Sequence, residues 1–355
     1  MTATMMQTIG PTIADPVDTG WAINDPVIRF RILSSERVFD LSTSDRWVLG
    51  SSPECSLRLD DPSGRVSRRH AFASRNGEIW KMEDLDSTNG LRVNREERRS
   101  FQLAPGDEID LGRITLIAES RRSMELHALL RRWLGWSTSR LGEVDRVLRE
   151  VREIANLGGA LVLRGVGALA GIARRLHRIT LGDRPFVPLG PNECAKQGLD
   201  RAIDGMLYVD ARGLPRDIHA VIANFRAPGM RVRLVACADS VEAVAELAAM
   251  IPRIVTISIP PLTERSDEIE RLLEAYGSDA VEELGASGLR FRPGDPVWIR
   301  ASRVATLAEI EDVARRLVAL RNWGVTHGAE RLGITHGALS RWARRRKIPT
   351  NGVVS

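Results

Sequence analysis

Three neighbouring segments decide how this chain folds: Ser67-Arg68-Arg69-His70, Ile79-Trp80-Lys81-Met82 and Asp86-Ser87-Thr88-Asn89-Gly90. Apolar and polar residues alternate between the first and third segments, which is typical of half-buried strands, so the two polar clusters fall in loops. The clusters combine hydroxyls, arginines and an Asn amide, which are hydrogen-bond donors suited to an anion. Gly90 allows the second loop a positive φ. We therefore expect two adjacent loops of a β-sandwich that together bind a phosphate group.

Short alternating runs extend this pattern from Val27 to Ile117, separated by turn sequences such as Asn76-Gly77 and Pro105-Gly106-Asp107. A strand spacing of about 8–12 residues is typical of an all-β sandwich. Residues 23–120 are therefore predicted to form one. Residues 1–22 are predicted to be a flexible tail, and its threonines are Thr2, Thr4, Thr8, Thr12 and Thr19.

The motifs of this region resemble, in the same order, those of the forkhead-associated (FHA) domain, which binds phosphothreonine peptides. They are Val48-Leu49-Gly50, Leu59-Asp60-Asp61, Val66 to Ala71, Asp86 to Gly90, Val93-Asn94 and Leu103 to Asp107. The resemblance implies that Ser67, Thr88 and Asn89 contact the phosphopeptide, while His70 and Gly90 hold the loops in shape. It also implies a phosphorylated protein partner, either the substrate of a Ser/Thr kinase or the chain's own N-terminal tail.

One position departs from the FHA pattern. The family has an Arg directly after the glycine of the first loop, and that Arg holds the phosphate, whereas here Ser51 follows Gly50. Because a charge-assisted Arg–phosphate bond is among the stronger polar contacts, its loss should weaken phosphate binding. Arg65 and Arg68 are the candidate replacements for the missing cation. The alternative is that these loops bind an unphosphorylated protein.

The composition is that of a soluble globular protein with two or three domains: 355 residues, 43% hydrophobic, 27% charged, with a net charge of +5. No apolar run approaches the roughly 20 residues that span a bilayer, and Met1 to Gly20 does not resemble a secretion leader. Cys55, Cys194 and Cys237 are isolated and show no metal-ligand spacing. We expect a cytoplasmic protein without membrane contact, cofactor or bound metal.

Residues 121–140 are predicted to be a helical linker, because apolar residues recur at a spacing of three to four from Met124 to Leu134. From residue 141 strands and helices alternate, which predicts an α/β domain over 141–303. Its buried strands are expected at Ala160-Leu161-Val162-Leu163, Met206 to Asp210, Val232 to Ala236 and Ile254 to Ile259.

This middle region resembles the AAA+ domain of the sigma-54 activators, the bacterial enhancer-binding proteins. The resemblance rests on Asp204 to Asp210, on Arg233 to Ala236 and on Ile259 to Ile269. The catalytic residues of that family are missing: Leu169 falls near the position of the P-loop Lys, Ala211 replaces the Glu that activates water, and Ala308 lies near the second-sensor Arg. A P-loop without its Lys and hydroxyl cannot hold phosphates and Mg²⁺ in the usual way. We expect a degenerate AAA+-like domain without enzymatic activity.

Residues 304–355 are predicted to form an all-α helix-turn-helix domain. Thr306 and Glu309 make a capping box for a helix that continues to Trp323, and a second short helix, a Gly turn and a basic helix follow. The segment resembles the Fis-type helix-turn-helix that ends sigma-54 activators. The resemblance implies that Thr335, His336, Ser340 and Arg341 contact base edges of double-stranded DNA and that the basic residues Arg344, Arg345, Arg346 and Lys347 contact phosphates. It also implies a homodimer or higher oligomer formed through the helix Thr306 to Trp323.

Together these predictions describe a signal-responsive transcriptional regulator with a phosphothreonine-binding module, an inactive AAA+-like middle and a DNA-binding end. The alternative is an interaction scaffold that associates with active sigma-54 activators without site-specific DNA binding.

Overall fold

The computed structural model describes residues 25–157, 159–224, 232–251, 253–301 and 304–348. The predicted flexible tail, residues 1–22, lies outside the described residues. The first part of the described chain consists of eleven strands. They are β1 Val27–Ile32, β2 Val38–Asp40, β3 Arg46–Gly50, β4 Leu57–Arg58, β5 Ala71–Asn76, β6 Ile79–Asp84, β7 Leu91–Val93, β8 Glu96–Glu97, β9 Ser100–Gln102, β10 Glu108–Leu111 and β11 Ile114–Ser120.

These strands form two facing sheets, in the orders β2-β1-β11-β10-β7-β8 and β4-β3-β5-β6-β9. Most pairs are antiparallel, and β3 pairs in parallel with the short β4. The inward side chains of both sheets meet in one core, which contains Phe30, Leu49, Trp80, Met82 and Leu116. The predicted β-sandwich is confirmed.

Two helices cover the outer face of the six-stranded sheet: α1 Arg121–Leu134 and α2 Leu141–Leu157. Ser120 caps α1, and the apolar stripe predicted for this segment is buried, with Trp133 fully enclosed. The segment between β11 and α2, predicted to be a helical linker, therefore packs closely on both of its neighbours. Burial of the stripe is the physical reason, since about 25 cal/mol is gained per Å² of apolar surface removed from water.

A buried ion cluster joins the sandwich to α2. The Arg31 side chain, on the outer face of β1, donates from Nε to Glu119 at 2.7 Å and from Nη2 to Asp145 of α2 at 2.6 Å. The Asp145 carboxylate also accepts from the backbone N–H of Ser34 at 2.7 Å. Burial, together with the nearby Arg31 charge, lowers the pKa of His127 beside the cluster to about 4. That imidazole is therefore neutral near pH 7.

The middle of the chain contains a five-stranded parallel sheet in the order β13-β14-β15-β12-β16. Its strands are β12 Ala160–Arg164, β13 Phe186–Leu189, β14 Met206–Asp210, β15 Arg233–Ala238 and β16 Ile254–Ser258, and its crossover helices are α3 Ala170–Leu181, α4 Ala195–Arg201, α5 Ile218–Asn224 and α6 Val241–Met250. Helix α3 packs on one face of the sheet with α1 and α2, while α4, α5 and α6 cover the other face. Strand β13 was not predicted because it is short and contains Pro188, which suits an edge strand.

The remaining helices are α7 Ile269–Leu284, α8 Asp295–Ala301, α9 Leu307–Leu332 and α10 His336–Arg345. Helix α9 changes direction at Gly324, whose φ of 70° and ψ of −167° are non-helical. The break predicted at Asn322 to Gly324 and the capping box of Thr306 with Glu309 are therefore present. No helix among the described residues is both long enough and apolar enough to cross a membrane.

Residues 304–348 do not form an independent unit, although a separate domain was predicted from residue 304. The apolar residues of α9 and α10 belong to the same buried cluster as those of α1, α2, α3 and α7. In addition, Ala280 and Leu284 of α7 pack against Val318 and Ala319 of α9. Helix α9 is amphipathic, and α7 covers its apolar stripe within the chain.

Replacement of Asp145 by Ala should destabilise the protein by about 3–5 kcal/mol, because Arg31 then keeps a buried charge without its second partner. Glu150→Ala is the matched control on the same helix, since Glu150 pairs with Arg146 at the surface at 2.6 Å. Loss of a surface pair costs about 0–1 kcal/mol. Urea unfolding followed by circular dichroism measures both variants. Equal midpoints for Asp145→Ala and Glu150→Ala would contradict the role of the cluster.

Candidate functional site

Three loops meet at one end of the sandwich: residues 51–56, 59–70 and 85–90. Gly50 is needed where the first two loops approach, because a Cβ at this position would lie 2.2 Å from the carbonyl oxygen of Arg68. The backbone N–H groups of Ser51 and Ser52 donate to the carbonyls of Ser67 and Arg68, both at 3.1 Å. The position of Ser67 is therefore set by backbone bonds to its neighbouring loop.

His70 is fully buried and joins the second loop to the third. Its Nδ1 accepts a hydrogen bond from the backbone N–H of Ser67 at 3.1 Å, and its Nε2 lies 3.0 Å from the carbonyl oxygen of Gly90. Because a carbonyl can only accept, the proton of the neutral ring is on Nε2. Gly90 has a φ of 70°, which a residue with a side chain rarely adopts. His70 thus connects the loop of Ser67 to the loop of Gly90.

The three residues expected to contact the phosphopeptide are brought together. The Ser67 hydroxyl accepts from the backbone N–H of Thr88 at 3.0 Å, and the two side-chain oxygens are 3.4 Å apart. The Asn89 amide donates to the carbonyl oxygen of Arg65 at 2.7 Å, which leaves its second N–H and its carbonyl available. Thr88 and Asn89 are exposed and Ser67 is half-buried. The arrangement presents hydroxyl and amide donors to a ligand that bears an anionic oxygen.

Ser51 faces the second loop, where its hydroxyl donates to the carbonyl oxygen of Val66 at 3.0 Å. It therefore braces the loops and carries no positive charge. Arg65, Arg68 and Arg69 are exposed around it, and in the described part of the chain none of the three has a carboxylate partner. Arg69 was not among the residues predicted from the sequence, although it stands between two that were.

Asp61 is a second residue that sequence reasoning missed. Its carboxylate accepts from the backbone N–H groups of Ser63, Arg65 and Val66 at 3.0, 2.7 and 2.7 Å. The Ser63 hydroxyl is the main cause that lowers the pKa of this carboxyl. These bonds fold the longer second loop so that the Arg65 carbonyl meets Asn89. The turn sequence Asp61-Pro62-Ser63-Gly64 indicates such a carboxylate-capped loop.

The comparisons with known proteins agree on this region. Residues 47–112 match the FHA domain family. This segment of the chain is an FHA domain. Over 68 residues the chain is 44% identical to the oxoglutarate dehydrogenase inhibitor of Corynebacterium jeikeium, covering 19% of this chain and 46% of that protein. It is 41% identical over 68 residues to the glycogen accumulation regulator GarA of Mycolicibacterium smegmatis, covering 19% and 42%.

The chain spans less than half the length of these curated relatives. A solved structure from work on phosphothreonine-dependent FHA domain interactions is 31% identical, covers 26% of this chain and 95% of its own, and superposes with a TM-score of 0.25. An FHA domain is a module for phosphothreonine-dependent protein interaction. The related proteins named above are an inhibitor and a regulator.

The turn after β12 occupies the edge of the parallel sheet where open α/β sheets bind ligands. Leu169, which precedes α3, is buried at this turn. A pocket of about 550 Å³ at this turn is lined by Gly167, Thr306, Glu309 and Asp312 among others. Asp210 at the end of β14 is paired with Arg212 at 2.6 Å, and this bond is the main cause that lowers the pKa of Asp210. Arg346 also lines this pocket, and Asp312 pairs with Arg316 at 2.7 Å.

The residues predicted to contact DNA are distributed around α10. Thr335 caps the helix by accepting from the N–H of Ala338 at 3.2 Å, and Ser340 is half-buried and accepts from Arg344 at 3.3 Å. The exposed members of the set are Thr335, His336, Arg341, Arg344, Arg345 and Lys347. The opposite face is buried through Leu339, Trp342 and Ala343. Six of the eight predicted residues are thus exposed to solvent.

Arg346 is placed differently from the other predicted phosphate contacts. Its guanidinium lies over the rings of Trp342 and Trp298, at 5.0 and 5.9 Å from their centroids. Burial lowers the pKa of this side chain. Arg346 therefore attaches α10 to α8 by cation–π contacts and is not a free phosphate ligand.

The predicted dimer surface is also used differently. Ile310, Ala314 and Leu317 of α9 are each fully buried within the chain. This face cannot bind a second copy while it remains packed in the core. The sequence pattern indicated an apolar stripe correctly, but a stripe does not identify the surface that covers it.

Ser67→Ala should lower affinity for a phosphothreonine peptide by about tenfold or more, because a hydrogen bond to a charged group contributes about 1.5–3 kcal/mol. Thr43→Ala is the matched control, since Thr43 is exposed in a different turn. Titration calorimetry with a peptide selected from a phosphothreonine library measures the difference, with the unphosphorylated peptide as reference. Unchanged affinity of Ser67→Ala would contradict this assignment of the site.

Proposed function

We propose that this chain is a phosphothreonine-responsive regulator that binds a phosphorylated protein through its FHA domain and duplex DNA through α10. The observation that carries the proposal is the assembled loop site, in which buried His70 holds Ser67 close to Thr88. The phosphorylated partner is a kinase substrate or the chain's own N-terminal tail, and the protein acts in the cytoplasm.

The DNA-binding part of the proposal is supported by the arrangement around α10. A short helix, the left-handed turn residue Gly333 and a basic helix follow one another, as in a helix-turn-helix. Thr335, His336, Ser340 and Arg341 would face base edges, while Arg344, Arg345 and Lys347 would contact phosphates. The cation–π contacts of Arg346 attach α10 to α8.

The middle domain is proposed to be a non-hydrolysing, AAA+-like body that holds the two ends together. Leu169 in place of a P-loop Lys, Ala211 after Asp210 and the Asp210–Arg212 pair support this proposal. We therefore propose that the chain has no enzymatic activity and needs no cofactor.

A second candidate function is an interaction scaffold without site-specific DNA binding. It is favoured by the burial of the α9 face, because the helix-turn-helix then lacks the dimer contact on which paired half-sites depend. Such a scaffold would still read phosphothreonine through Ser67, Thr88 and Asn89. Any homodimer would have to use another surface.

Ser51→Arg should raise phosphopeptide affinity about tenfold, because it restores a cation where the FHA family has one, and charge-assisted bonds are about twice as strong as neutral ones. Arg65→Ala and Arg68→Ala test the replacement cation in the same titration, with Arg92→Ala of the exposed β7 surface as control. At least one of the two should bind more weakly than the control. If neither loses affinity, no arginine of this loop replaces the missing one.

Arg341→Ala with His336→Ala should abolish preference for a duplex that the full-length chain selects from random sequence, since each base contact contributes about 1–3 kcal/mol of discrimination. Fluorescence anisotropy against an unrelated duplex measures the preference, and Arg92→Ala should retain it. If selection with the wild-type chain enriches no sequence, the scaffold function is the correct one.

A further inference from the structure

A groove of about 600 Å³ lies between α3, α9 and the turn before α10. It is lined by five arginines, which are Arg174, Arg175 and Arg178 of α3 and Arg315 and Arg316 of α9. Leu332 and Ile334, on either side of the Gly333 turn, also line the groove. The groove therefore reaches the turn that precedes α10.

Three of these arginines are neutralised within the protein. Arg175 pairs with Glu311 at 2.8 Å and also with Asp279, Arg315 pairs with Glu283 at 3.1 Å, and Arg316 pairs with Asp312 at 2.7 Å. These residues shape the wall of the groove. Their carboxylate partners would oppose an anion unless further positive charge were present.

That charge comes from Arg174 and Arg178. Both are exposed, and among the described residues neither has a carboxylate oxygen within 4.0 Å. Arg174 is oriented by the ring of Phe186, 4.6 Å from its guanidinium. The remaining titratable groups are Asp183, which is exposed on the rim, and His177, whose pKa is lowered by burial so that it stays neutral.

We propose that Arg174 and Arg178 bind the sugar–phosphate backbone of duplex DNA next to the segment that α10 contacts. This inference rests on the proposed DNA binding. Residues four apart lie on one helix face, displaced by about 6 Å along the axis, and two nucleotide steps of one strand span about 7 Å. The planar guanidinium of arginine suits phosphate oxygens. The N-terminal residues of a recognition helix approach base edges, so a protein surface beside that end of the helix faces the sugar–phosphate backbone of the DNA.

The experiment compares the full-length wild-type chain with the double variant Arg174→Ala, Arg178→Ala at several salt concentrations. Because each phosphate contact contributes about 0.9 to the slope of log K against log salt, the double variant should lower that slope by about 1.8. Affinity should fall by one common factor for all duplexes, so sequence preference is retained. Arg216→Ala is the control, since this exposed residue precedes α5 on the other face of the sheet.

The outcomes separate the inference from the function on which it rests. A wild-type chain that binds no duplex contradicts the proposed DNA binding, and the inference falls with it. A wild-type chain that binds DNA, with an unchanged slope in the double variant, contradicts the inference alone. Replacement of both residues by Lys keeps the two positive charges, so the slope should return to the wild-type value. If the arginines acted only through packing, the slope would not depend on their charge. If the double variant instead loses affinity only for an acidic peptide, the groove binds protein and not DNA.

Discussion

Arg31 has only 1% of its surface exposed, so its guanidinium must be paired, and the carboxylate partners come from two parts of the chain. Glu119 comes from the same sheet, whereas Asp145 comes from α2. Such a cluster adds little net stability compared with an apolar contact, because desolvation offsets most of the attraction. The cluster does constrain the position of α2, since any shift of α2 along the sheet would leave a buried charge unpaired. The cluster thereby holds the sandwich in register with α2.

The same use of arginine recurs farther along the chain. Arg265 donates to the carbonyl oxygens of Trp133 and Arg132 at 2.7 and 2.9 Å, which satisfies the C-terminal end of α1. Arg132 and Arg175 both pair with Asp279 and lie over the ring of Tyr276. These contacts connect α1, α3 and α7, which in turn support α9. A continuous packed path thus runs from the sandwich to α10, which is a physical requirement for coupling between two distant sites.

The loop site was predictable because its chemistry is local. Ser67, His70, Thr88 and Asn89 stand at fixed spacings that specify one loop geometry, and the alternation of β5 and β6 places them at one end of the sandwich. The parallel strands were predictable from their buried runs, except β13, which is short and contains Pro188. Long-range partners were not predictable. Arg346 belongs to a basic cluster, which is why a phosphate contact was predicted. Its packing role depends on Trp298, which is distant in the sequence. Likewise, the apolar stripe of α9 does not indicate whether α7 or a second copy of the chain covers it.

The covered face of the six-stranded sheet has a consequence for where this domain ends. The family match stops at residue 112 and the last strand at Ser120, yet Arg31, Ile117 and Glu119 are buried only because α1 and α2 lie over them. A fragment cut after β11 would expose an apolar patch beside a charge pair that has lost its partner, which favours aggregation. The smallest piece that keeps every buried charge paired extends through α2. The outer face of this sandwich is thus part of the interior of the chain and not a free surface.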